Sequence, residues 1–360
     1  MPTVAIALPF VGLATAYSVG AGGPTMGHVA AQRYSPPTHG VLRMAAPQYT
    51  SQAALVSASR PVCPNGRSWL LQLSGQESPT EYEPGHVLAI EVDHQGTTLK
   101  GPYTVTRSDA ASRTIDCIYR VIDGPRESSN GDHVASGVRK TQVFKSLETG
   151  VPAAFGGSFH VPILRGIAPG ARHAFLVSTG AGVGPMIGFV EQCVAMWEGT
   201  SIPGAPGIPF KDSQLERVTL FAGYRELGDV ICAEELEALV AASNGRFEWH
   251  ACISGADELN DCEVGFSALA GRTTNTAPPL IASALPDGFE EAHFHMIGNG
   301  AMVKDWQLAL GEAGVPEEQV TVEMYFGHKE EPDQAASECI KQGILHQDLK
   351  IAALAGPLAA

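Results

Sequence analysis

One glycine-rich turn constrains this chain more than any other stretch. Residues Leu176–Phe189 read L-V-S-T-G-A-G-V-G-P-M-I-G-F. The apolar run Ala174–Ser178 reads as a buried strand. Thr179, Gly180, Ala181, Gly182, Val183 and Gly184 form a turn, and Pro185 opens an amphipathic run to Trp197. Proline suits a first helical position, because its missing N–H would be unpaired there anyway. The glycines have two physical uses. They let backbone approach a ligand, with the free N–H groups of a helix start favouring phosphate. They also let two elements pack closely, and the residues alone leave both readings open. A Walker loop is excluded, since no Gly-Lys-Ser/Thr follows, and the spacing is not that of an ordinary dinucleotide-binding turn.

From this turn onward, strands and helices alternate. Further strands are expected at Val218–Ala222, Phe247–Ile253, His293–Ile297 and Val320–Phe326. Helical patterns follow at Ala233–Ser243, Leu280–Leu285 and Gly300–Ala313. That order implies a parallel sheet with helices on both faces, whose ligands bind at the carboxyl ends of the strands. Before the turn the pattern is one of short strands: Ala53–Ser57, Ser68–Leu73, Val87–Val92, Gly101–Thr106, Thr114–Ile122 and Gly156–Pro162. With one helix-like run at Lys140–Leu147, they predict a small antiparallel barrel. The chain thus divides into a leading segment 1–48, a barrel domain 49–168, an α/β domain 169–326 and an extension 327–360.

The leading segment contains no acidic residue and is rich in Ala, Gly, Ser and Thr, with an apolar stretch at Val4–Ala16. This composition suggests organelle targeting, plastid or else mitochondrion; the alternatives are a disordered arm and a cytoplasmic protein. Formal net charge is −15, and the first acid is Glu77, so the acidity lies in the folded part. That excludes nucleic acid as a natural partner. No apolar run reaches the ~18 residues a spanning helix needs. Seven cysteines form no C-x-x-C pair, which argues against structural zinc and a built-in iron–sulfur cluster. No metal site is expected.

Several local patterns resemble the ferredoxin–NADP reductase superfamily, in its order. The Gly180–Pro185 turn is similar to the G-T-G-x-A-P turn that opens its nucleotide domain. Tyr82-x-Pro84-Gly85, Gly101-Pro102-Tyr103-Thr104, Gly137-Val138 with Thr141, and Gly157-x-Phe159-x-Val161-Pro162 resemble its barrel motifs. Phe221–Arg225 with Glu234-Glu235-Leu236, Gly298-Asn299-Gly300-Ala301-Met302 and Val322-Glu323-Met324-Tyr325 resemble those of its second domain. The resemblance covers about residues 49 to 326.

It implies an FAD enzyme that exchanges electrons between NADP(H) and a separate carrier such as ferredoxin or flavodoxin. Tyr103, Thr104 and Tyr325 would surround the flavin ring, with Glu323 positioning the nicotinamide and moving protons. Lys100, Pro102, Tyr119, Arg120, Gly137, Val138 and Thr141 join them on the flavin side. Thr179–Pro185, Arg225, Ser254, Arg272, Gly298, Asn299 and Met302 would hold NADP(H). Three departures stand out. Gly101 replaces a flavin-binding Arg, with Lys100 beside it and Arg107 beyond. Ile297 replaces a thiol, and Ser254-Gly255 replaces a Ser-Arg clamp, for which Arg225, Arg272 or Arg246 would substitute. Tyr325 is followed by about 35 further residues, and Asp333–Leu349 reads as a helix and docking arm. The rival reading is a non-enzymatic redox-sensing or scaffold descendant that binds nucleotide without turnover.

Overall fold

The computed structural model describes residues 50–76, 82–94, 96–122, 139–157, 159–200, 214–256, 259, 264–326 and 330–345. Gly137, Val138 and the leading segment 1–48 lie outside the described residues. The first half is a closed antiparallel barrel, in the order β1 (Ser51–Pro61), β2 (Ser68–Gly75), β5 (Thr114–Arg120), β4 (Thr97–Asp109), β3 (Val87–His94) and β6 (Pro152–Gly156). Alternate residues point inward and build one apolar core around Leu71, Leu88, Val105 and Phe155. Helix α1 (Lys140–Lys145) plugs one end with Phe144, which is fully buried. The sixth strand is Pro152–Gly156, not the expected Gly156–Pro162. Gly157 has φ +82°, and the Phe159 ring folds back over it, which ends the strand.

After the short α2 (Ile163–Gly166), the second half is a six-stranded parallel sheet. Its order is β10 (Ala268–Ala270), β9 (Phe247–Ile253), β8 (Arg217–Tyr224), β7 (His173–Thr179), β11 (Ala292–Asn299) and β12 (Val320–Phe326). The two-domain architecture expected from the sequence is therefore present. Chain order reverses between β7 and β11, and the glycine turn lies at the carboxyl edge of that junction. In open α/β sheets this is where ligands bind. Helices α3 (Val183–Glu198), α4 (Ala233–Ala242), α5 (Thr273–Ala284) and α6 (Gly300–Glu312) cover the faces. Helix α3 starts at Val183, so Pro185 sits at its third position, still among the N–H groups that have no intrahelical partner. Helix α5 begins well before the expected Leu280. It runs through Pro278 and Pro279, which a sequence reading treats as breakers.

The last helix, α7 (Gln334–Leu345), falls within the expected Asp333–Leu349, of which 346–349 lie outside the described residues. It buries Ile340 and Ile344 in the cluster formed by α5, α6 and the sheet. Gly343 lets it reach Pro278, since a Cβ there would lie 2.6 Å from the proline ring. Asp333 donates its N–H to Asp305 Oδ1 at 2.7 Å. Among the described residues no helix is long and apolar enough to cross a membrane, and no group of three His, Cys, Asp or Glu could hold a metal ion.

Helix α3 also joins the two halves. A Cβ on Gly188 would sit 1.8 Å from the Thr106 carbonyl oxygen, and one on Gly184 would sit 2.7 Å from Thr106 Oγ1. The helix therefore lies backbone to backbone on β4. Arg107, next on that strand, donates Nε–H to Glu191 Oε2 at 2.7 Å and Nη2–H to Glu235 Oε2 at 2.6 Å. These two carboxylates raise the affinity of the half-buried guanidinium for its proton, against the cost of burial. Arg67 reaches Glu226 at 2.8 Å, and Asn65 Nδ2 donates to Asp229 Oδ1 at 2.8 Å. Gly188→Ala is expected to cost about 3 kcal/mol, the upper range for overpacking. A thermal melt within about 2 °C of the wild type, where such a loss shifts Tm by several degrees, would contradict it.

Candidate functional site

The site forms where barrel strand β4 meets the ends of β7, β11 and β12. Its central contact is one hydrogen bond: Thr104 donates Oγ1–H to Glu323 Oε1 at 2.6 Å. Both residues are buried, at 8% and 7% exposure, and they lie 219 positions apart. Burial pushes the Glu323 carboxyl up to about 7, with the Thr104 hydrogen bond and the nearby His160 working the other way. Its second oxygen, Oε2, is buried without a hydrogen-bond partner. Such an oxygen carries a desolvation cost of about 1–3 kcal/mol until something bonds to it. The Tyr325 phenol is held protonated by burial and by the charge of Glu323, with the nearby Thr104 working the other way. Tyr325 is half-buried against the α/β core.

On the barrel side, Tyr103 packs its ring against Phe144 at 5.4 Å and edge-on to Tyr119 at 6.3 Å. Tyr119 is only 4% exposed. It sits within the barrel core and supports Tyr103. Arg120, one residue on, points to the opposite face and is exposed. Thr141 Oγ1 accepts the Ile122 N–H at 3.1 Å, tying α1 to the end of β5, and Pro102 is exposed. The Lys100 ammonium is held by Glu91 at 2.5 Å, directly across the β3–β4 ladder. That charge is neutralised where it stands. The ammonium beside Gly101 belongs instead to Lys140.

On the sheet side the glycines divide by purpose. Gly182 has no room for a side chain, because a Cβ would lie 2.7 Å from Ile297 Cγ2. Gly184 faces the barrel, as described. Gly180 has φ +53° and open space around it, so it alone offers bare backbone to a ligand. Opposite, Asn299 donates its N–H to Thr179 Oγ1 at 2.9 Å and caps α6 by accepting from Ala301 N–H at 2.8 Å. Gly298, at φ +137°, lies tightly against Thr179. The two expected nucleotide turns are thus bonded to each other, with Met302 buried behind them. Ile297, in place of a thiol, is wholly buried and presents no reactive group.

Farther along the same edge, Arg225, Ser254 and Arg272 are all exposed at the ends of β8 and β9 and after β10. Ser254 Oγ–H donates to the Tyr224 carbonyl at 3.2 Å, and Gly255 N–H to the Arg225 carbonyl at 2.9 Å. A Cβ on Gly255 would lie 2.5 Å from that carbonyl. The Arg225 backbone therefore takes up the space a side chain at 255 would need. Arg246 is excluded from the clamp. It lies at the opposite end of β9, over the Trp197 ring at 5.8 Å.

Comparisons with known proteins bear on this arrangement. Residues 176–308 match the family model described as the oxidoreductase NAD-binding domain. No curated protein matches in sequence. Among solved structures, a cytochrome P450 reductase from Amycolatopsis superposes with TM-score 0.53 at 15% identity, over 78% of this chain and 72% of that one. Ferredoxin–NADP+ reductase from Plasmodium falciparum with bound 2'P-AMP gives 0.52 at 12%, over 76% and 96%. The cytochrome b5 reductase domain of Ulva prolifera nitrate reductase gives 0.53 at 14%, over 76% and 97%. At these identities the likeness establishes the fold.

The carboxyl at Glu323 is open to direct measurement. One glutamate of the 13C-labelled protein should titrate near pH 7. Thr104→Val should move that titration to higher pH, since the lost hydrogen bond favoured the charged form. A glutamate set titrating wholly below about pH 5, the ordinary carboxylate range, would contradict the assignment.

Proposed function

We propose that this chain, which carries the two-domain fold of the ferredoxin reductase-like superfamily, is an FAD-dependent oxidoreductase. It exchanges electrons between NADP(H) and a separate one-electron carrier, such as ferredoxin or flavodoxin. The observation that carries this reading is the buried Thr104–Glu323 pair with its orphaned Glu323 Oε2. A carboxyl held near neutrality at the junction of two domains suits proton handling beside a redox centre. Bound FAD would supply hydride exchange with the nicotinamide and one-electron exchange with the carrier.

The residues present fit such a group. Tyr103 offers a ring face backed by Phe144, and Thr104 sets a hydroxyl beside it. Tyr325, half-buried against the α/β core, would help exclude water from Thr104 and Glu323. Glu323 Oε2 is the acceptor left for a donor on the nicotinamide carboxamide. Gly180 gives the dinucleotide pyrophosphate a backbone approach at a helix start, while Asn299 and Thr179 fix the opposite wall. Arg225 and Arg272 stand exposed where the adenosine end would lie, and among the described residues neither is held in an ion pair. A 2′-phosphate is the ligand that two such guanidinium groups suit.

The purified protein tests the reading against its non-enzymatic rival. A yellow protein that NADPH bleaches, and that releases FAD on acid treatment, is expected. A colourless protein that stays so with added FAD, or one that releases FMN, overturns it. For the pyridine nucleotide, Arg225→Ala and Arg272→Ala should each raise the KM for NADPH about tenfold or more and leave that for NADH nearly unchanged, from the ~1.5–3 kcal/mol of a charge-assisted contact. Equal effects on both nucleotides would place the 2′-phosphate elsewhere.

A further inference from the structure

We infer that His295 positions Glu323, through one bound water held between His295 Nε2 and Glu323 Oε2. This rests on the reading of Glu323 as the proton-handling carboxyl of the site. The hydrogen bonds around His295 form a chain in which each proton has one place. The Ala168 N–H donates to His293 Nδ1 at 3.2 Å, so the neutral His293 ring carries its proton on Nε2. That Nε2–H donates to Thr321 Oγ1 at 2.8 Å. The single hydroxyl proton of Thr321 then goes to His295 Nδ1 at 2.7 Å, which leaves the neutral His295 ring with its proton on Nε2. Burial keeps both rings neutral, pulling His293 down to about 4 and His295 to about 3. The chain therefore ends in an N–H, on a ring 2% exposed, that is buried without a partner.

Glu323 Oε2 is the counterpart, an acceptor also buried without a partner. The register of the sheet brings the two together. His295 pairs with Thr321, and Ile297, two residues on, pairs with Glu323. Residues two apart on a strand share a face, so His295, Thr321 and Glu323 lie on one side of the sheet. Glu323 stands about 7 Å along β12 from Thr321, a diagonal that the two side chains span with a water between them. An orphan donor and an orphan acceptor on one buried face are what an internal water satisfies. Glu323 is then held from both sides, by Thr104 on Oε1 and by the water on Oε2, whose second lone pair stays open to a ligand. The chain starts at a backbone amide, so it conducts no proton and serves to fix the His295 N–H. The other titratable groups here are His160, from the segment before α2, which faces both Glu323 and His295, His293 beside His295, and Tyr325 beside Glu323 with Cys117 behind it.

The test reads protons by NMR on the full-length protein as purified. In 15N-labelled wild type, His295, identified by the signal lost in His295→Gln, should be the neutral Nε2–H form throughout about pH 5 to 8, the range in which an ordinary histidine charges. His295→Leu, which removes the donor, should raise the Glu323 titration midpoint by about half a unit to one unit, because an N–H contact favours the charged carboxylate. His295→Gln, which keeps an N–H at the end of its side chain, should return the midpoint toward the wild-type value. A crystal structure should show one water within hydrogen-bond reach of both atoms. An Nδ1–H tautomer, or a ring that charges within that range, overturns the role of His295 without any variant. So does a midpoint unmoved in His295→Leu or raised equally in both variants, or a gap between the two atoms that holds no water. Each of these leaves the flavin reading intact, since that stands on the colour of the protein. A wild type with no glutamate titrating near pH 7 overturns the assignment of Glu323 and the role of His295 together.

Discussion

The chemistry-bearing parts of this molecule depend on one helix lying against one strand, with glycines on the helix side of the contact. Gly184 and Gly188 bring α3 onto β4 at Thr106. That contact fixes the glycine turn at the head of α3 relative to Thr104, two residues from Thr106 on the same strand. Arg107 then locks the pair by reaching Glu191 on α3 and Glu235 on α4. A contact made of backbone cannot slide by changing rotamers, so the two halves meet in one register. The Thr104–Glu323 hydrogen bond is affordable only because of this. A carboxylate 7% exposed would otherwise stay solvated or remain protonated.

Much of this architecture was legible in the chain. A succession of short strand-like stretches marked the barrel, and apolar runs separated by amphipathic ones marked the parallel sheet, with Phe247–Ile253 and Val320–Phe326 matching their observed bounds. What was not legible has physical causes. Strand β10 is three residues long and sits at an edge, too short to show a period. Helix α5 hides its first half behind two prolines, which its packing against α7 tolerates. The glycine turn left ligand approach and close packing open, since a glycine looks the same in either use. In the structure Gly182 and Gly184 serve close packing, and the space around Gly180 is open.

The departures from the reductase pattern follow one rule: each site is occupied by something from elsewhere in the chain. Gly255 is small because the Arg225 backbone lies against it, and an arginine stands at position 225 instead. Gly101 is small because the Lys140 ammonium lies there. Ile297 fills the space beneath Gly182 and trades a thiol for packing. Compensations of this kind are invisible to a motif read along the sequence, because the compensating residue is a spatial neighbour and not a sequential one.

The docked C-terminal helix changes what the last strand can do. A strand that ends a chain frays freely, because its final residues have no second anchor. Here β12 leads, after a short span, to Asp333 bonded to Asp305 and then to a helix seated on Pro278. The segment carrying Tyr325 is therefore a closed loop with two fixed ends, and opening it costs the release of the buried Ile340 and Ile344 or a strained backbone. Any clearing of the ring from its place is left to rotation about its own side-chain torsions, a motion local to one residue, with the peptide chain standing still.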